Sequence, residues 1–307
     1  MGRKNSYNKC QMNQKVKIPQ SIAVMSHPGI PEAFEVADDV VAFLQSEGLV
    51  AQAGSLYDES LRTAVVAQEF DLIIALGGDG TMLRAGHLCA PVDIPLLGIN
   101  IGHFGFLVEL KHNGWQSELP KLLAGDFRYE ERMMMTARFE QDDEDDAVFD
   151  VINDVVVARG KYVRPIEVEA CLNGAHIASY VADGLIASTA TGSTAYALAV
   201  GGPILPPELR NILLIPIAPH LSVDRAIVLS EGSSVCIRVK TKHEAVVSID
   251  GQEPITLGRS SEVYINAHQK SLHMVRFQDP FYFYRNLTAY MEHNPLISIK
   301  SDEQSNQ

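Results

Sequence analysis

Hydrophobic positions along the first 110 residues recur at two different spacings, which predicts strands that alternate with helices. Short, unbroken aliphatic runs bounded by turn residues are typical of buried strands in a parallel sheet. Longer stretches with apolar residues at helical spacing lie between them. The pattern therefore predicts a doubly wound α/β sheet, with strands at residues 21–25, 72–76 and 95–100 and helices at residues 32–47 and 81–89.

The pattern changes at about Tyr129 to an alternation of apolar and polar residues. Asn173-Gly174 and Asp250-Gly251 separate such runs, and both pairs are typical of hairpin turns. The acidic run at residues 140–146 lies between two apolar segments, so we expect an exposed hairpin tip, because like charges repel and prefer water. This half is predicted to be an antiparallel β domain, with strands at residues 166–171, 235–240 and 246–249 and a later helix at residues 281–290.

A glycine-rich elbow joins the strand at residues 72–76 to the following helix. Its three glycines allow positive φ and close approach of the backbone to a ligand, and Thr81 is placed to cap the helix. Successive amides at such a bend form an anion-binding concavity at a helix N-terminus. Because open α/β sheets place ligands at the carboxyl ends of strands, we expect a phosphate loop here, formed by Gly77, Gly78, Gly80 and Thr81.

Asp79 is the only ionisable residue of this elbow. A carboxylate beside bound phosphate is unfavourable unless it accepts a proton or organises a metal ion, which favours a catalytic role. An ordinary turn aspartate that bonds its own backbone is the alternative. The chain contains no Walker Gly-x-x-x-x-Gly-Lys-Ser/Thr pattern, and Leu83 stands where Gly-x-Gly-x-x-Gly requires its third glycine. The elbow is therefore predicted to be a third kind of phosphate loop.

The formal net charge of −13 argues against a general binder of nucleic acid or anionic membrane, since both require broad basic surfaces. Small anionic substrates need only local positive potential. The candidate cations near the motifs are Arg84, Arg159, Lys161 and Arg164, and for Arg159 a solvated surface position is the favoured interpretation.

The length of 307 residues and the 46% hydrophobic content suit one or two compact domains. No apolar run reaches eighteen residues and the start is polar, so we expect neither an export signal nor a membrane span. The four cysteines lie far apart without metal-site spacing, which favours free thiols in a reducing, cytoplasmic setting.

Two polar features interrupt apolar segments. Asn153-Asp154 stands inside an otherwise aliphatic run, and burying an unpaired amide costs roughly 1 to 3 kcal/mol, so these residues need partners. A ligand or an edge-strand turn would supply them. Phe106 follows a glycine loop, where its ring could stack on a base or nicotinamide, or pack in the core. His103 in the same loop is interpreted as a simple loop residue.

These segments carry a family resemblance. Gly-Gly-Asp-Gly-Thr at residues 77–81 resembles the signature of the superfamily that contains NAD, diacylglycerol, sphingosine and 6-phosphofructo-kinases. Residues 183–203 are similar to the long signature specific to NAD kinases. The loop at residues 100–107, the Asn153-Asp154 pair and the Asp-Gly-Gln turn at residues 250–252 also resemble that family, although a glutamate is commoner at position 154. The chain is identified from its sequence as a member of the NAD kinase family.

The resemblance implies a Rossmann-like α/β domain at residues 18–128 that binds phosphate, and an antiparallel β-sandwich domain at residues 129–275 that carries much of the NAD site. It also implies that the C-terminal segment at residues 276–299 returns to the first domain. Residues 1–17 and 300–307 are polar and are predicted to be disordered.

The resemblance also implies roles for individual residues. Asp79 would be the catalytic base, Asn153 and Asp154 would hold the ribose hydroxyls and the adenine amino group, and Asp183 would bind the nicotinamide end. Ser193 and Thr194 lack a hydrolase pattern and could equally cap a helix. The predicted residues for binding NAD or substrate are Asp79, Gly80, Arg84, Phe106, Asn153, Asp154, Arg164, Asp183, Thr194, Ala195, Tyr196, Ala197, Leu198, Ala199 and Gln252.

The implied reaction is transfer of the γ-phosphoryl group of ATP to the 2′-hydroxyl of the adenosine ribose of NAD, giving NADP. Mg²⁺ or another divalent cation would arrive with ATP, with no protein ligands predicted, and a homodimer or homotetramer is implied. The alternatives are a lipid or sugar kinase of the same superfamily and a non-catalytic NADP-binding regulator.

Overall fold

The fold is described from a computed structural model that covers residues 16–102, 105–139, 146–220, 224–241, 243–258 and 260–292. The ends predicted to be disordered lie outside these ranges, except for Val16 and Lys17. Cys10, His103 and most of the acidic run also lie outside them. The two strands that flank the acidic run pair antiparallel, with Phe139 opposite Ala147.

The first half of the chain forms a parallel sheet covered by helices. The central strand is buried along its whole length, as its unbroken aliphatic sequence predicts. The first helix buries Ala33, Ala37, Val40 and Leu44, which recur at helical spacing. The elements are β1 (Ser21–Ser26), α1 (Pro31–Ser46), β2 (Val50–Ser55), α2 (Glu59–Val66), β3 (Leu72–Gly77), α3 (Asp79–Cys89), β4 (Leu96–Asn100), β5 (Leu110–Lys111) and α4 (Trp115–Ala124).

The second half is a set of antiparallel strands with two helices. Asn173-Gly174 and Asp250-Gly251 both have positive φ, as the hairpin turns predicted there require. The elements are β6 (Arg128–Phe139), β7 (Ala147–Val151), β8 (Asp154–Arg159), β9 (Ile166–Leu172), β10 (Ala175–Ala182), β11 (Gly184–Ser188), α5 (Tyr196–Ala199), β12 (Asn211–Ile217), β13 (Ile227–Ser230), β14 (Val235–Val239), β15 (Ala245–Ile249), β16 (Ile255–Leu257), β17 (Glu262–Arg276) and α6 (Tyr282–Glu292).

Two sheets stack in this half. The smaller has the order β13-β12-β11-β8-β15-β16, and the larger runs β10-β9-β14-β17 before it continues into the parallel strands β4-β3-β1-β2. One buried cluster contains inward residues of both sheets, Val168 and Tyr180 from the larger and Val157 and Leu185 from the smaller. The predicted fold class, an α/β domain with an antiparallel β-sandwich, is therefore confirmed.

The long strand β17 joins the two halves. It pairs antiparallel with β14 and β6, and its last residues reach β4 in parallel, where Met274 lies opposite Leu96. The site described below lies where β17 ends. No helix within the described ranges is long and apolar enough to span a membrane.

The sequence prediction misplaced the start of one helix and left several elements out. Helix α3 begins at Asp79, so Thr81 lies inside its first turn and Gly78 is the N-cap, without a side-chain cap. Strand β2 and helix α2 were not predicted, because β2 is an edge strand with mixed exposure and α2 has only eight residues.

Candidate active site

The elbow lies at the carboxyl edge of the parallel sheet, beside a second loop. Gly77 ends β3 directly opposite Asn100, which ends β4. The chain continues from these two positions into α3 and into the loop around residues 101–109. Both predicted loops therefore open at the same edge of the sheet, the edge at which open α/β sheets bind ligands.

The described fold requires glycine at only one of the three glycine positions of the elbow. Only Gly77 has a positive φ, and a Cβ there would meet the Thr81 side chain at 2.2 Å. Gly78 and Gly80 do not, so the prediction of positive φ is wrong for them, and a Cβ at either would meet no atom within 4 Å. Nothing in the described fold requires glycine at these two positions. The open space at both leaves room for a ligand to approach the backbone.

The Asp79 carboxylate holds the neighbouring loop through its backbone. Oδ2 accepts the Phe106 amide at 2.8 Å and Oδ1 accepts the Leu107 amide at 2.9 Å. A Cβ on Gly105 would lie 2.1 Å from Asp79 Oδ1, so only glycine allows this approach. Asp79 therefore has a partner beyond its own turn. A carboxylate has about four lone-pair sites, so two amides leave capacity for a proton.

Two buried arginines face this carboxylate. Burial raises the pKa of the Asp79 carboxyl above its ordinary value, while the two amides and the positive charges of Arg132 and Arg276 act in the opposite direction. Glu130 joins the arginines, accepting from Arg132 Nε at 2.8 Å and from Arg276 Nε at 3.0 Å. Burial alone would raise the pKa of Glu130, but the arginines hold it well below its ordinary value.

Asp250 organises the turn at residues 152–154. Its carboxylate, 1% exposed, accepts the amides of Ile152, Asn153 and Asp154 at 2.8, 2.7 and 2.8 Å. It also contacts His87 Nε2 on α3 at 2.7 Å. A residue from the late Asp-Gly-Gln turn thus ties the polar turn between β7 and β8 to the helix that begins with Asp79.

Several polar atoms in these loops lack protein partners. Within the described ranges, Asn100 Oδ1 and Asn153 Oδ1 are buried without a hydrogen bond, and a native structure leaves few such atoms. The Asp154 carboxylate is also buried, and the described residues give it no hydrogen-bond donor. Burial and the charge of Asp250 raise its pKa to about 7. Unsatisfied acceptors at the sheet edge are consistent with a ligand that supplies donors.

The 183–202 segment wraps the same turn. The Thr189 amide donates to Asn153 O at 2.9 Å, and the Thr189 hydroxyl donates to Ile152 O at 2.6 Å. A Cβ on Gly192 would lie 2.2 Å from Asn153 O, so glycine is required there too. Ser193 and Thr194 donate to carbonyls three residues earlier rather than capping a helix; Thr189 Oγ1 instead accepts the Gly192 amide.

The other predicted residues of this segment have mixed exposure. Tyr196 is 43% exposed, Thr194, Ala195 and Leu198 are half-buried, Ala197 is buried and Ala199 is exposed. Asp183 pairs with Arg159 Nε at 3.1 Å, and both side chains are about one-third exposed, so Arg159 is a partly solvated cation that has a carboxylate partner.

Three predicted binding residues are exposed, and within the described ranges no hydrogen bond or ion pair joins their side chains to this cluster. Arg84 is exposed on α3, with its guanidinium 5.8 Å from the centre of the Tyr57 ring. Arg164 is exposed, and the described residues give its side chain no hydrogen bond or ion pair. Gln252 is exposed in its turn, where its carbonyl accepts the Ser248 hydroxyl at 2.8 Å. Phe106 is half-buried, 6.4 Å between ring centres from Phe283.

Sequence reasoning missed Arg132, Arg276 and the carboxylate of Asp250. The available signal was a charge within an apolar strand: Arg276 follows Met274 and Val275, and Asp250 follows Val247 and Ile249. Among the described residues, no group of three or more His, Cys, Asp or Glu side chains is arranged to hold a metal ion.

Comparison with known proteins identifies the family. The model of the ATP-NAD kinase N-terminal domain matches residues 31–127, and that of the ATP-NAD kinase C-terminal domain matches residues 152–277. The NAD kinase of Dehalococcoides mccartyi is 37% identical over 276 residues, covering 90% of this chain and 97% of that protein. The NAD kinase of Heliobacterium modesticaldum is 37% identical over 272 residues, covering 86% and 95%.

Two crystal structures share the fold. Yeast NADH kinase complexed with NADH superposes with a TM-score of 0.78 at 21% identity, covering 92% of this chain and 91% of that one. An NAD kinase from Archaeoglobus fulgidus in complex with ATP gives 0.71 at 24% identity, covering 89% and 99%. No finding supports the lipid, sugar or non-catalytic alternatives. The chain belongs to the NAD kinase family, phosphotransferases that act on an alcohol acceptor.

Proposed function

We propose that Asp79 is the base of the NAD kinase reaction and that the elbow at residues 77–81 binds the phosphates of ATP. The observation that carries the proposal is the position of the Asp79 carboxylate, at the start of α3, between the glycine elbow and the loop at residues 105–107. The carboxylate would accept the proton of the 2′-hydroxyl of the adenosine ribose.

The phosphate role is supported by the elbow's backbone. Helix α3 begins without a side-chain cap, and its Thr81 and Met82 amides donate to the Gly78 carbonyl. The two earlier amides, of Asp79 and Gly80, would be the ones that bind an anion. Gly78 and Gly80 leave open space above them. The charges of Arg132 and Arg276 act on Asp79, although both arginines are themselves paired with glutamates. Phosphoryl transfer depends mainly on positioning and on neutralising charge, which these groups supply.

The proton-transfer role is supported by the surroundings of Asp79. A carboxyl with an ordinary pKa near 4 cannot remove a sugar proton in advance, but it can take the proton late, as the oxygen–phosphorus bond forms. The raised pKa of Asp79 strengthens it as a proton acceptor.

We further propose that NAD lies across the turn at residues 152–154 and the segment at residues 183–199, with Phe106, Arg84, Arg164 and Gln252 around it. The buried acceptors on Asn153 and Asp154 would take donors from the adenine amino group and the ribose hydroxyls. Asp183, paired with Arg159, would meet the nicotinamide end, and Thr194 to Ala199 would line the dinucleotide.

A divalent cation would enter with ATP, held by its phosphates. It would neutralise charge on the phosphates during transfer. We also propose a homodimer or homotetramer and a cytoplasmic location; the free, buried thiols of Cys89, Cys171 and Cys236 support a reducing environment.

The variant Asp79→Asn tests the catalytic assignment. The amide keeps the shape of the side chain but cannot take a proton, and its NH₂ group also faces one of the two loop amides that Asp79 accepts. We expect turnover to fall at least about 100-fold while the Kd for NAD changes only a few-fold. Asp93→Asn is the control, since the Asp93 side chain is 66% exposed outside the elbow. Turnover of Asp79→Asn within tenfold of wild type would refute the assignment.

A coupled assay tests the substrates. The purified protein is incubated with NAD, Mg²⁺ and ATP, and product is detected with an NADP-specific dehydrogenase. Replacing ATP by inorganic polyphosphate, NAD by NADH, or Mg²⁺ by a chelator then defines the donor, the acceptor and the need for the cation.

A further inference from the structure

The loop that Asp79 holds is also held from its other side. The Leu107 amide donates to Asp79 Oδ1, while the Leu107 carbonyl accepts from Arg276 Nη1 at 3.2 Å. The same nitrogen lies 3.4 Å from the Val108 carbonyl. One stretch of backbone therefore lies between a carboxylate from the elbow and a guanidinium from the end of β17.

Glu109 completes this arrangement. Its Oε2 pairs with Arg276 Nη1 at 3.1 Å, and its Oε1 accepts the amides of Phe277 and Gln278 at 2.8 and 3.2 Å. The loop thus reaches across to the segment that leads into α6. The Arg276 and Glu109 side chains are only 7% and 3% exposed, so their charges are little screened by water.

The guanidinium is itself fixed from behind. Arg276 Nε lies 3.0 Å from Glu130 Oε1, and that oxygen also contacts Arg132 Nη2 at 2.7 Å. Arg128 reaches the other Glu130 oxygen at 3.4 Å. Planar, rigid donors of this kind hold several acceptors at once, which a lysine ammonium on a flexible stem does not.

We propose that Arg276 is a positioning residue for phosphoryl transfer: together with Glu109 it clamps the loop at residues 105–109 so that the Phe106 and Leu107 amides orient the Asp79 carboxylate. Arg276 acts through the loop backbone and does not contact the reacting atoms. The inference rests on the proposed role of Asp79.

The clamp also sets the charge around Asp79. The groups that face the carboxylate are Arg132 from β6 and Arg276 from β17, with Glu130 and Glu109 paired behind them. Arg276 lowers the pKa of Asp79, so removing its charge raises that pKa further. The acid limb of the pH–rate profile would then move to higher pH, a change that a merely structural residue would not cause.

Two variants separate geometry from charge. Arg276→Lys keeps the positive charge but loses the fork, so we expect kcat to fall about tenfold with little change in the KM for NAD and an unmoved acid limb. The double variant R276M/E109Q removes one charge of each sign, which avoids leaving Glu109 buried without its partner. For this double variant we expect the acid limb of the pH profile of kcat to move to higher pH by about half a unit or more.

Hydrogen exchange gives a readout that does not depend on turnover. In both variants the amides of residues 106 and 107 should exchange faster than in the wild type, because local opening of the loop becomes easier. Arg238→Lys is the matched control: Arg238 pairs with Glu262 and Glu169 in the β-sandwich and should leave kinetics and loop exchange unchanged.

The outcomes distinguish the two proposals. If Asp79→Asn abolishes turnover but both Arg276 variants show wild-type kinetics and loop protection, the clamp is refuted and the proposed base stands. An equal loss of kcat in Arg238→Lys would also overturn the clamp, since it would indicate a general loss of stability. If Asp79→Asn keeps its turnover, the proposed base fails, whatever the Arg276 variants do.

Discussion

Replacing Asp250 by asparagine tests how the turn at residues 152–154 is held. Oδ1 of Asp250 accepts the Asn153 and Asp154 amides, and Oδ2 accepts the Ile152 amide and contacts His87. An asparagine presents one oxygen and one NH₂ group. If the oxygen keeps its two amides, the NH₂ group faces the Ile152 N–H, donor against donor.

The magnitude follows from these bonds. A buried amide left without an acceptor costs about 1 to 3 kcal/mol, and two bonds that lose the charge of their acceptor lose about 1 kcal/mol each. Removing the negative charge also relieves repulsion on Asp154, which returns part of this loss. We therefore expect Asp250→Asn to lower the free energy of unfolding by about 3 kcal/mol.

The pH dependence sharpens the test. Because the Asp154 pKa is about 7, Asp154 is charged at pH 8 and largely neutral at pH 5. Asp154 repels Asp250 only when both are charged, at pH 8, and only there does Asp250→Asn remove a repulsion. The variant should therefore be destabilised more at pH 5 than at pH 8. Urea unfolding at both pH values, with the KM for NAD measured in parallel, provides the assay.

The control is Asp58→Asn, which alters a partly exposed N-cap whose carboxylate accepts the Ser60 and Leu61 amides. It should destabilise much less, since water replaces the lost bonds. A loss below about 1 kcal/mol for Asp250→Asn, or no greater loss at pH 5 than at pH 8, would refute the reasoning.

Two further variants test the loops around Asp79 and Asn153. Gly105→Ala puts a Cβ 2.1 Å from Asp79 Oδ1. We expect a steady-state assay to show at least a tenfold loss of kcat, which corresponds to about 1.4 kcal/mol of transition-state stabilisation. The control is Gly232→Ala, where a Cβ meets no atom within 4 Å. Asp154 has a folded pKa of about 7 against about 4 unfolded, so its protonation stabilises the fold below pH 4 and this stabilisation is lost as pH rises to 7. Relative to Asp154→Asn, the wild type should therefore lose up to about 4 kcal/mol of unfolding free energy between pH 4 and pH 7, and equal pH dependence of the two proteins would contradict the assignment.

The sequence predicted those parts of the fold whose signal is local. Buried aliphatic runs identified β3 and β4, and turn pairs with positive φ identified the hairpins at Asn173 and Asp250. Edge strand β2 escaped because its Val50 is 66% exposed, so no apolar face marks it. The motif residues Asp79, Asn153 and Asp154 were found because polar groups interrupted glycine-rich or aliphatic segments.

The rest of the site could not be predicted, because its bonds join distant parts of the chain. Arg276 and Glu130 are 146 residues apart, and Asp250 lies 97 residues from Asn153. A charge at the end of an apolar strand does not reveal its partner. Only the pairing of β17 with β6 brings Arg276 beside Glu130, and only the pairing of β15 with β8 brings Asp250 to the turn.

The Asp79 and Asp250 carboxylates both accept backbone amides, so the two loops are held through their backbones. Asp79 fixes the loop at residues 105–107 and Asp250 fixes the turn at residues 152–154 without using the side chains of Phe106, Asn153 or Asp154. The proposed NAD contacts of Asn153 and Asp154 therefore do not compete with the bonds that hold the turn.

Helix α3 connects the two arrangements. It begins with Asp79 and carries His87, eight residues or about 12 Å further along, on Asp250. A Cβ on Gly86 would lie 2.8 Å from Ile152 Cδ1, so the helix also packs closely on the turn itself. Any shift of α3 that follows phosphate binding at the elbow must therefore move, or be resisted by, the turn at residues 152–154. The proposed donor and acceptor sites are thus joined by a single rigid helix rather than by a flexible linker.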